Sequence, residues 1–186
     1  MMDKDKNPGE KVIFRIAERK DCGLILQFVK ELADYEKMSD EVTATEEMFQ
    51  EWIFDKHAAE VIFIMENGRE VGFALYFYNF STFVGRAGLY LEDIFVKPEF
   101  RGKGYGKALL DKLADIAIEK GCGRFEWVCL DWNEPSIRFY RSLWVAWEIL
   151  NFCCLCQLSP CLHSAVDDRG EISTSGINGG CIARWA

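Results

Sequence analysis

The sequence has no apolar run approaching about 18 residues, the length that a membrane-spanning helix needs. Its first residues also lack the apolar stretch of a secretory signal peptide. Basic residues are outnumbered by acidic ones: there are 22 Lys and Arg and 30 Asp and Glu, so the formal net charge is −8. Proteins that wrap nucleic-acid phosphates are usually basic. These absences predict a soluble cytoplasmic protein without a membrane or nucleic-acid partner, whose acidic surface suits a cationic ligand.

Two separate pairs of metal ligands are lacking as well, although Cys153-x-x-Cys156 and His163 lie near each other in the sequence. Only Cys22, Cys122 and Cys129 of the eight cysteines precede residue 144, and the two histidines, His57 and His163, are isolated. A structural zinc site usually has two ligand pairs at defined spacing. The five other cysteines instead crowd together in one apolar tail. The sequence therefore predicts no metal site, and free thiols of the kind that a reducing compartment maintains.

What is present favours a folded enzyme-sized domain. The 186 residues are 49% hydrophobic and 14% aromatic, which is enough for a real core. Changes of composition predict a polar, disordered N-terminus over 1–11, a domain over 12–143 and an atypical tail over 144–186. No internal repeat is visible.

Hydrophobic periodicity predicts the order β-α-α-β-β-β-α-β-α, which is an α/β or α+β fold on a mixed sheet. Strands are expected at 12–19, 61–65, 71–78, 87–96 and 124–130, with a hairpin turn at Asn67-Gly68. Helices are expected after Asp21, from Thr45 to Phe54, over 107–120 and over 135–143. Asp21 and Thr45 are the predicted caps of the first two helices.

A glycine-rich segment separates the fourth strand from the third helix. It reads Arg101-Gly102-Lys103-Gly104-Tyr105-Gly106-Lys107, three glycines beside three cations in an otherwise acidic chain. Glycines let a backbone approach a ligand, and a helix N-terminus offers unpaired N–H groups and the positive end of a dipole. We therefore predict diphosphate binding here, with a plain strand-to-helix turn as the alternative. The spacing fits neither a P-loop nor a Rossmann fingerprint.

Three segments together resemble one family. Arg101-x-x-Gly104-x-Gly106, preceded by the segment 91–96, resembles the acetyl-CoA signature of the GNAT superfamily of N-acetyltransferases. The segment 130–136 with Phe139-Tyr140, and the segment 30–37, resemble its diamine acetyltransferase branch, which contains spermidine/spermine acetyltransferase and thialysine-acetylating relatives. The resemblance runs from about Val12 to Leu143. It implies the GNAT fold, a mixed, mostly antiparallel sheet flanked by helices.

The resemblance also implies a cosubstrate, acetyl-CoA, with no metal and with a homodimer as the assembly. In this family the backbone after a splayed strand binds the pantetheine arm, the glycine loop holds the pyrophosphate, and a later segment lines the thioester end. The positions that match here are Ile94, Phe95, Val96, Arg101, Gly102, Lys103, Gly104, Tyr105, Gly106, Lys107, Asn133, Glu134, Pro135 and Ser136.

The resemblance gives chemical roles to a smaller group. Tyr140 matches the general acid that protonates the departing thiolate, and Glu92 is placed to draw a proton from the ammonium, directly or through water. The substrate-binding positions that it implies are Tyr35, Glu36, Glu92 and Asp93. Without the family pattern, Tyr140 would be read as a packed aromatic and the acids as solvated surface residues.

The predicted function is transfer of acetyl from acetyl-CoA to a primary amine of a small cationic substrate. The substrate is a polyamine or diamine, or a thialysine-like amino acid, to which the segments 90–94 and 130–133 are slightly closer. Two alternatives stay open: acetylation of protein lysines or N-termini, and a catalytically inactive acyl-CoA-binding module.

The tail departs from the family pattern. After Leu143 the chain reads Trp144-Val145-Ala146-Trp147, then a cysteine-rich apolar clump, then a Gly/Ser-rich end. The change is typical of translated intron or a shifted reading frame, with an unfamiliar native tail as the alternative. If the closing strand is altered, the sheet is expected to keep an exposed edge, which 149–156 would fill imperfectly.

Overall fold

The computed structural model describes residues 12–147 and 153–155, and the N-terminal segment that we expect to be disordered lies outside them. The described residues divide into two compact units. The first holds 12–77 and 93–116, and the second holds 78–92, 117–147 and 153–155. Strand order follows chain order from the first strand to the sixth, which confirms the mixed sheet.

The first unit carries three antiparallel strands and a long helix. Strand β1 (Ile13–Ile16) pairs with β2 (Glu60–Glu66), and β2 pairs with β3 (Arg69–Ser81). The turn at Asn67-Gly68 is confirmed, because both residues have the positive φ that a tight hairpin turn requires. Helix α1 (Cys22–Glu36) lies between β1 and a short helix α2 (Glu46–Phe49), which continues as a π-helical turn, Gln50–Asp55.

Aromatic packing joins α1 to the strands of the first unit. The ring of Phe28 lies 5.8 Å from Phe63, 5.1 Å from Phe73 and 6.4 Å from Phe95, measured between centroids. All four side chains are at most 4% exposed. Burial of side chains of this size contributes roughly 1.5–3 kcal/mol each, so this cluster holds the helix against the sheet.

The second unit is built on parallel pairing. Strand β4 (Arg86–Val96) begins there and pairs with β5 (Arg124–Val128), and helix α4 (Glu134–Trp147) follows β5. Helix α3 (Tyr105–Glu119) precedes β5 along the chain and ends before Gly121, whose φ of 67° stops it as predicted. No helix within the described residues is long and apolar enough to cross a membrane.

The tail supplies an edge strand. Strand β6 (Cys153–Leu155) pairs in parallel with residues 126–128 of β5. The backbone of β5 is therefore covered over three residues, in the region where we expected imperfect filling. Helix α4 also runs four residues past Leu143, where periodicity indicated its end.

The sequence prediction was wrong about how α1 begins. The carboxylate of Asp21 does not cap the helix; it accepts hydrogen bonds from Arg15 (2.6 Å) and from the N–H of Glu18 (2.7 Å). Burial alone would raise the pKa of Asp21, but these two hydrogen bonds hold it below its ordinary value. The predicted first strand also stops early, at Ile16, because residues 19–21 turn into α1. Thr45, in contrast, caps α2 as predicted, accepting from Met48 N–H.

We predict that Gly72→Ala destabilises the protein. A Cβ at Gly72 would lie 2.7 Å from the carbonyl oxygen of Phe95 and 3.1 Å from side-chain carbons of Ile64 and Val96. Because that oxygen belongs to a strand backbone, the collision is relieved only by moving β4, at about 1–3 kcal/mol. Urea denaturation measures this loss of unfolding free energy.

Gly23→Ala is the matched control for this prediction. The three atoms nearest a Cβ at Gly23 all belong to the carboxylate of Glu46, the nearest at 3.1 Å. That carboxylate can swing away, and alanine favours a helix. We expect Gly23→Ala to be neutral or stabilising. Equal destabilisation by the two substitutions would contradict the role of Gly72.

Candidate active site

The glycine loop of the first unit has the backbone that the sequence predicts. Gly102 and Gly104 have φ of 78° and 88°, a conformation that costs other residues about 1–2 kcal/mol. A Cβ on either would meet no atom within 4 Å, so the backbone conformation and not space requires glycine. The carbonyl of Gly104 accepts the first helical hydrogen bond of α3, from Ala108 at 3.0 Å. The loop thus leads an exposed backbone into a helix N-terminus, a fit for a phosphate group.

The three cations of the loop all have partners in the described chain. Lys103 Nζ lies 2.8 Å from Glu66 Oε1, and Lys107 Nζ lies 2.5 Å from Asp111 Oδ2, one turn along α3. Arg101 Nε donates to the carbonyl oxygen of Val96 at 2.9 Å. Arg101 and Lys103 therefore connect the loop to β4 and to Glu66, whereas Lys107 pairs within α3.

Arg101 brings a predicted substrate residue beside predicted cofactor residues. Its guanidinium carbon lies 4.6 Å from the ring centroid of Tyr35 and 5.3 Å from that of Phe95. Cation–π contacts of this kind contribute about 0.5–1 kcal/mol at exposed sites. Within the first unit, the end of α1, the end of β4 and the glycine loop therefore meet at one place.

Glu36 ends α1 without a compensating charge. The helix stops there because Lys37 takes the left-handed conformation, with φ of 60°. The Glu36 side chain is half-buried, and burial raises the pKa of its carboxyl. In the described part of the chain it makes no hydrogen bond or ion pair. A half-buried carboxylate of this kind is stabilised when a cation binds beside it.

In the second unit, the predicted thioester-end segment forms the start of α4. Asn133 is 5% exposed, and its Oδ1 accepts from the N–H of Ser136 at 3.3 Å, so it caps the helix. Glu134 and Pro135 are the first two residues of the helix, between Asn133 and Ser136. The capping role was missed, although an asparagine before a proline-containing first turn is a signal for it.

Tyr140 lies in an aromatic cluster of the same unit. Its ring centroid is 5.3 Å from that of Trp127 and 5.3 Å from that of Phe139. Trp127 is paired with Leu91 across β4 and β5. The ring of Tyr140 is thus packed over the Leu91 side of these strands.

Glu92 belongs to the other face of β4. Successive side chains of a strand alternate between faces, which places Glu92 with Tyr90. Burial raises the pKa of Tyr90, and the negative charges of Glu92 and Glu126 raise it further. At this level of the strand, Tyr140 and Glu92 therefore lie on opposite faces.

A buried polar cluster on the Glu92 face was not found from the sequence. Glu126, 8% exposed, accepts a hydrogen bond from Asn79 Nδ2 at 2.9 Å and forms an ion pair with Arg124 Nε, also at 2.9 Å. Arg124 also donates to Asn79 Oδ1 at 3.1 Å. Gly88 leaves room for it, since a Cβ there would lie 2.5 Å from Asn79 Oδ1. The alternation Arg124-x-Glu126 on one strand was the only sequence signal.

The remaining predicted positions lie in the first unit. Asp93, Ile94, Phe95 and Val96 end β4 in the first unit, where Tyr105, Gly106 and Lys107 open α3. Within residues 12–147 and 153–155, no group of three His, Cys, Asp or Glu side chains is placed to hold a metal ion.

Comparison with known proteins identifies acetyltransferase relatives of the chain. The chain is 40% identical over 141 residues to the thialysine N-epsilon-acetyltransferase of Sus scrofa, a match covering 71% of this chain and 82% of that protein. It is 34% identical over 137 residues to the spermidine/spermine N(1)-acetyltransferase-like protein 1 of Homo sapiens, covering 69% and 19%.

Solved structures agree in fold. An integron cassette protein from the mobile metagenome of V. cholerae superposes with a TM-score of 0.61 at 29% identity, covering 73% of this chain and 85% of that one. An aminoglycoside acetyltransferase from an uncultured soil sample has a TM-score of 0.62 at 17% identity, over 70% and 86%, a likeness of fold alone.

The acetyltransferase (GNAT) family matches residues 25–143, from the first buried turn of α1 to the Tyr140 region of α4. This stretch includes the glycine loop, Glu92 and Tyr140. The chain belongs to the GNAT acetyltransferase family and is an acetyl-transferring enzyme.

Proposed function

We propose that the chain transfers acetyl from acetyl-CoA to the primary amine of a small cationic substrate, a thialysine-like amino acid ahead of a polyamine. The observation that carries the proposal is the glycine loop, whose Gly102 and Gly104 hold an open backbone at the start of α3. The identity of 40% to a thialysine acetyltransferase supports the choice of amine.

The proposed chemistry is direct attack. The ammonium loses a proton through Glu92 and water, and its nitrogen then forms a bond to the thioester carbon. The carbon–sulfur bond breaks, and the hydroxyl of Tyr140 gives its proton to the departing thiolate. The acetylated nitrogen loses its second proton to solvent, from which Tyr140 recovers one. Tyr35, Glu36 and Asp93 would hold a second cationic group of the substrate. The homodimer and the cytoplasmic location stay predictions.

An amine panel with acetyl-CoA tests the function. Thialysine, lysine, ornithine, diamines and spermidine should release CoA faster than neutral amines or lysine peptides. Rates should rise towards about pH 9, since free ammonium groups have pKa values near 10. Activity on peptides alone would indicate protein acetylation, and no amine-dependent release of CoA would indicate an inactive acyl-CoA-binding module.

Tyr140→Phe tests the general acid. Because the ring packs on Trp127 and Phe139, phenylalanine keeps the cluster and removes only the hydroxyl. We expect kcat to fall by roughly 10²-fold, within the range for general acids. Tyr76→Phe, which removes a hydroxyl that donates to Glu60, is the control and should change kcat less than about twofold. Equal turnover of wild type and Tyr140→Phe at saturating acetyl-CoA would assign the proton to another group.

Glu36→Gln should stabilise the protein while weakening amine binding. Because the pKa of Glu36 is raised on folding, its charge costs stability above the folded pKa, and the cost disappears below the unfolded pKa. The variant should therefore melt higher than wild type at pH 7–8, by a difference that vanishes in acid. Its KM for a dicationic amine should rise several-fold, with kcat retained.

Glu31→Gln is the matched control on the same helix. Glu31 lies 3.7 Å from Lys97 Nζ and accepts from Gln27, so its removal should bring no stabilisation. If Glu36→Gln melts higher but leaves KM unchanged, Glu36 does not contact the substrate.

A further inference from the structure

Glu66, the last residue of β2, connects the β2–β3 hairpin to the glycine loop. Its Oε1 accepts from Lys103 Nζ at 2.8 Å and from the hydroxyl of Tyr105 at 2.6 Å. The Glu66 side chain is 13% exposed, far less than the lysine that it pairs with. One carboxylate oxygen therefore ties down two loop residues that are far away in sequence.

The two tied residues alternate with the glycines that shape the loop. Lys103 lies between Gly102 and Gly104, and Tyr105 follows Gly104 as the first residue of α3. The ammonium of Lys103 also lies 5.0 Å from the ring centroid of Phe100, just before the loop. The ammonium of Lys103 thus has two neighbours, the carboxylate of Glu66 and the ring of Phe100.

A glycine-rich backbone needs such a restraint. Glycine loses more conformational freedom on ordering than any other residue. A loop that must become ordered when a ligand binds takes that cost from the binding free energy, whereas a preorganised loop does not.

We propose that Glu66 is a positioning residue for the diphosphate of acetyl-CoA, holding the glycine loop in its binding conformation through Lys103 and Tyr105. This inference rests on the proposed function, because it concerns the same loop. It adds a residue outside the family signature, on a strand that sequence reasoning did not connect with cofactor binding.

The negative charge of Glu66 lets the direction of an affinity change test the proposal. A carboxylate near a diphosphate repels it, so a purely electrostatic view expects that removing Glu66 tightens binding. If the restraint is what matters, removal weakens binding instead. The two views predict opposite changes in affinity for one substitution.

The test is calorimetric binding of acetyl-CoA to the full chain. Glu66→Ala removes both hydrogen bonds and should raise the dissociation constant by about fivefold to tenfold, where tenfold equals about 1.4 kcal/mol. Glu66→Gln keeps an oxygen that can accept from both Lys103 and Tyr105 while losing the charge, so it should stay within about twofold of wild type.

An acetyl donor without the diphosphate distinguishes a role of Glu66 in positioning the loop from a general structural defect. Turnover with S-acetylpantetheine, which has the thioester arm but no diphosphate, should be the same for Glu66→Ala and wild type. With acetyl-CoA, KM should rise and kcat should be retained. A loss with both donors would mean a structural defect and would overturn the proposal.

Tyr105→Phe keeps the test open if Glu66→Ala folds poorly. It removes one of the two hydrogen bonds and should weaken acetyl-CoA binding by a smaller factor. When Glu66→Ala and Tyr105→Phe are combined, their effects on affinity should be less than additive, because both substitutions remove the hydrogen bond between Tyr105 and Glu66. Strict additivity would contradict a shared restraint.

Glu60→Ala is the matched control at the other end of β2. Glu60 also accepts from a tyrosine hydroxyl, that of Tyr76 at 2.8 Å, and its removal should leave acetyl-CoA affinity unchanged. Unchanged or tighter binding by Glu66→Ala would overturn the proposal while leaving the function intact. Failure of wild type to bind acetyl-CoA would instead overturn the function.

Discussion

The packing of Phe28 against Phe63, Phe73 and Phe95 is the contact on which the first unit depends. It joins α1 to strands β2, β3 and β4 at ring separations of 5.1–6.4 Å. Seven residues further along α1, Tyr35 therefore arrives beside Arg101, which is in turn bonded to the end of β4. The place where a predicted substrate helix meets a predicted cofactor loop thus follows from aromatic burial. Polar contacts refine the arrangement, but the hydrophobic cluster sets it.

The glycine loop is locally basic although the chain as a whole is acidic. The net charge is −8, and the glycine loop gathers three cations, each engaged by a carboxylate or a carbonyl oxygen. Such pairing lowers the field of the loop and raises its order. Glu36 is the reverse case, a half-buried carboxylate without a described partner and with a raised pKa. Both features fit the proposed function: an ordered loop would suit an anionic cofactor, and a half-buried carboxylate would be stabilised by a cationic amine.

Much of the fold could be predicted because it depends on short local sequence patterns. The hairpin at Asn67-Gly68, the cap at Thr45 and the stop at Gly121 each follow from the conformations that those residue types allow. The prediction for Asp21 failed because a side chain on the preceding strand competed with the helix for its carboxylate. Asp21 has the chemistry of a helix cap, but its carboxylate accepts a hydrogen bond from Arg15 instead. The local sequence does not indicate which donor the carboxylate will bind.

The sequence by itself determined the family and the glycine loop, because each depends on residue types at short spacing. Only the tertiary structure decided which side chains restrain that loop and which face of β4 each acid serves. The contact of Glu66 with Lys103 spans 37 positions, and the cluster of Asn79 with Glu126 spans 47. Contacts of that range arise from strand register and helix packing, which depend on the burial of the whole chain at once, and spacing along a sequence carries no direct record of them.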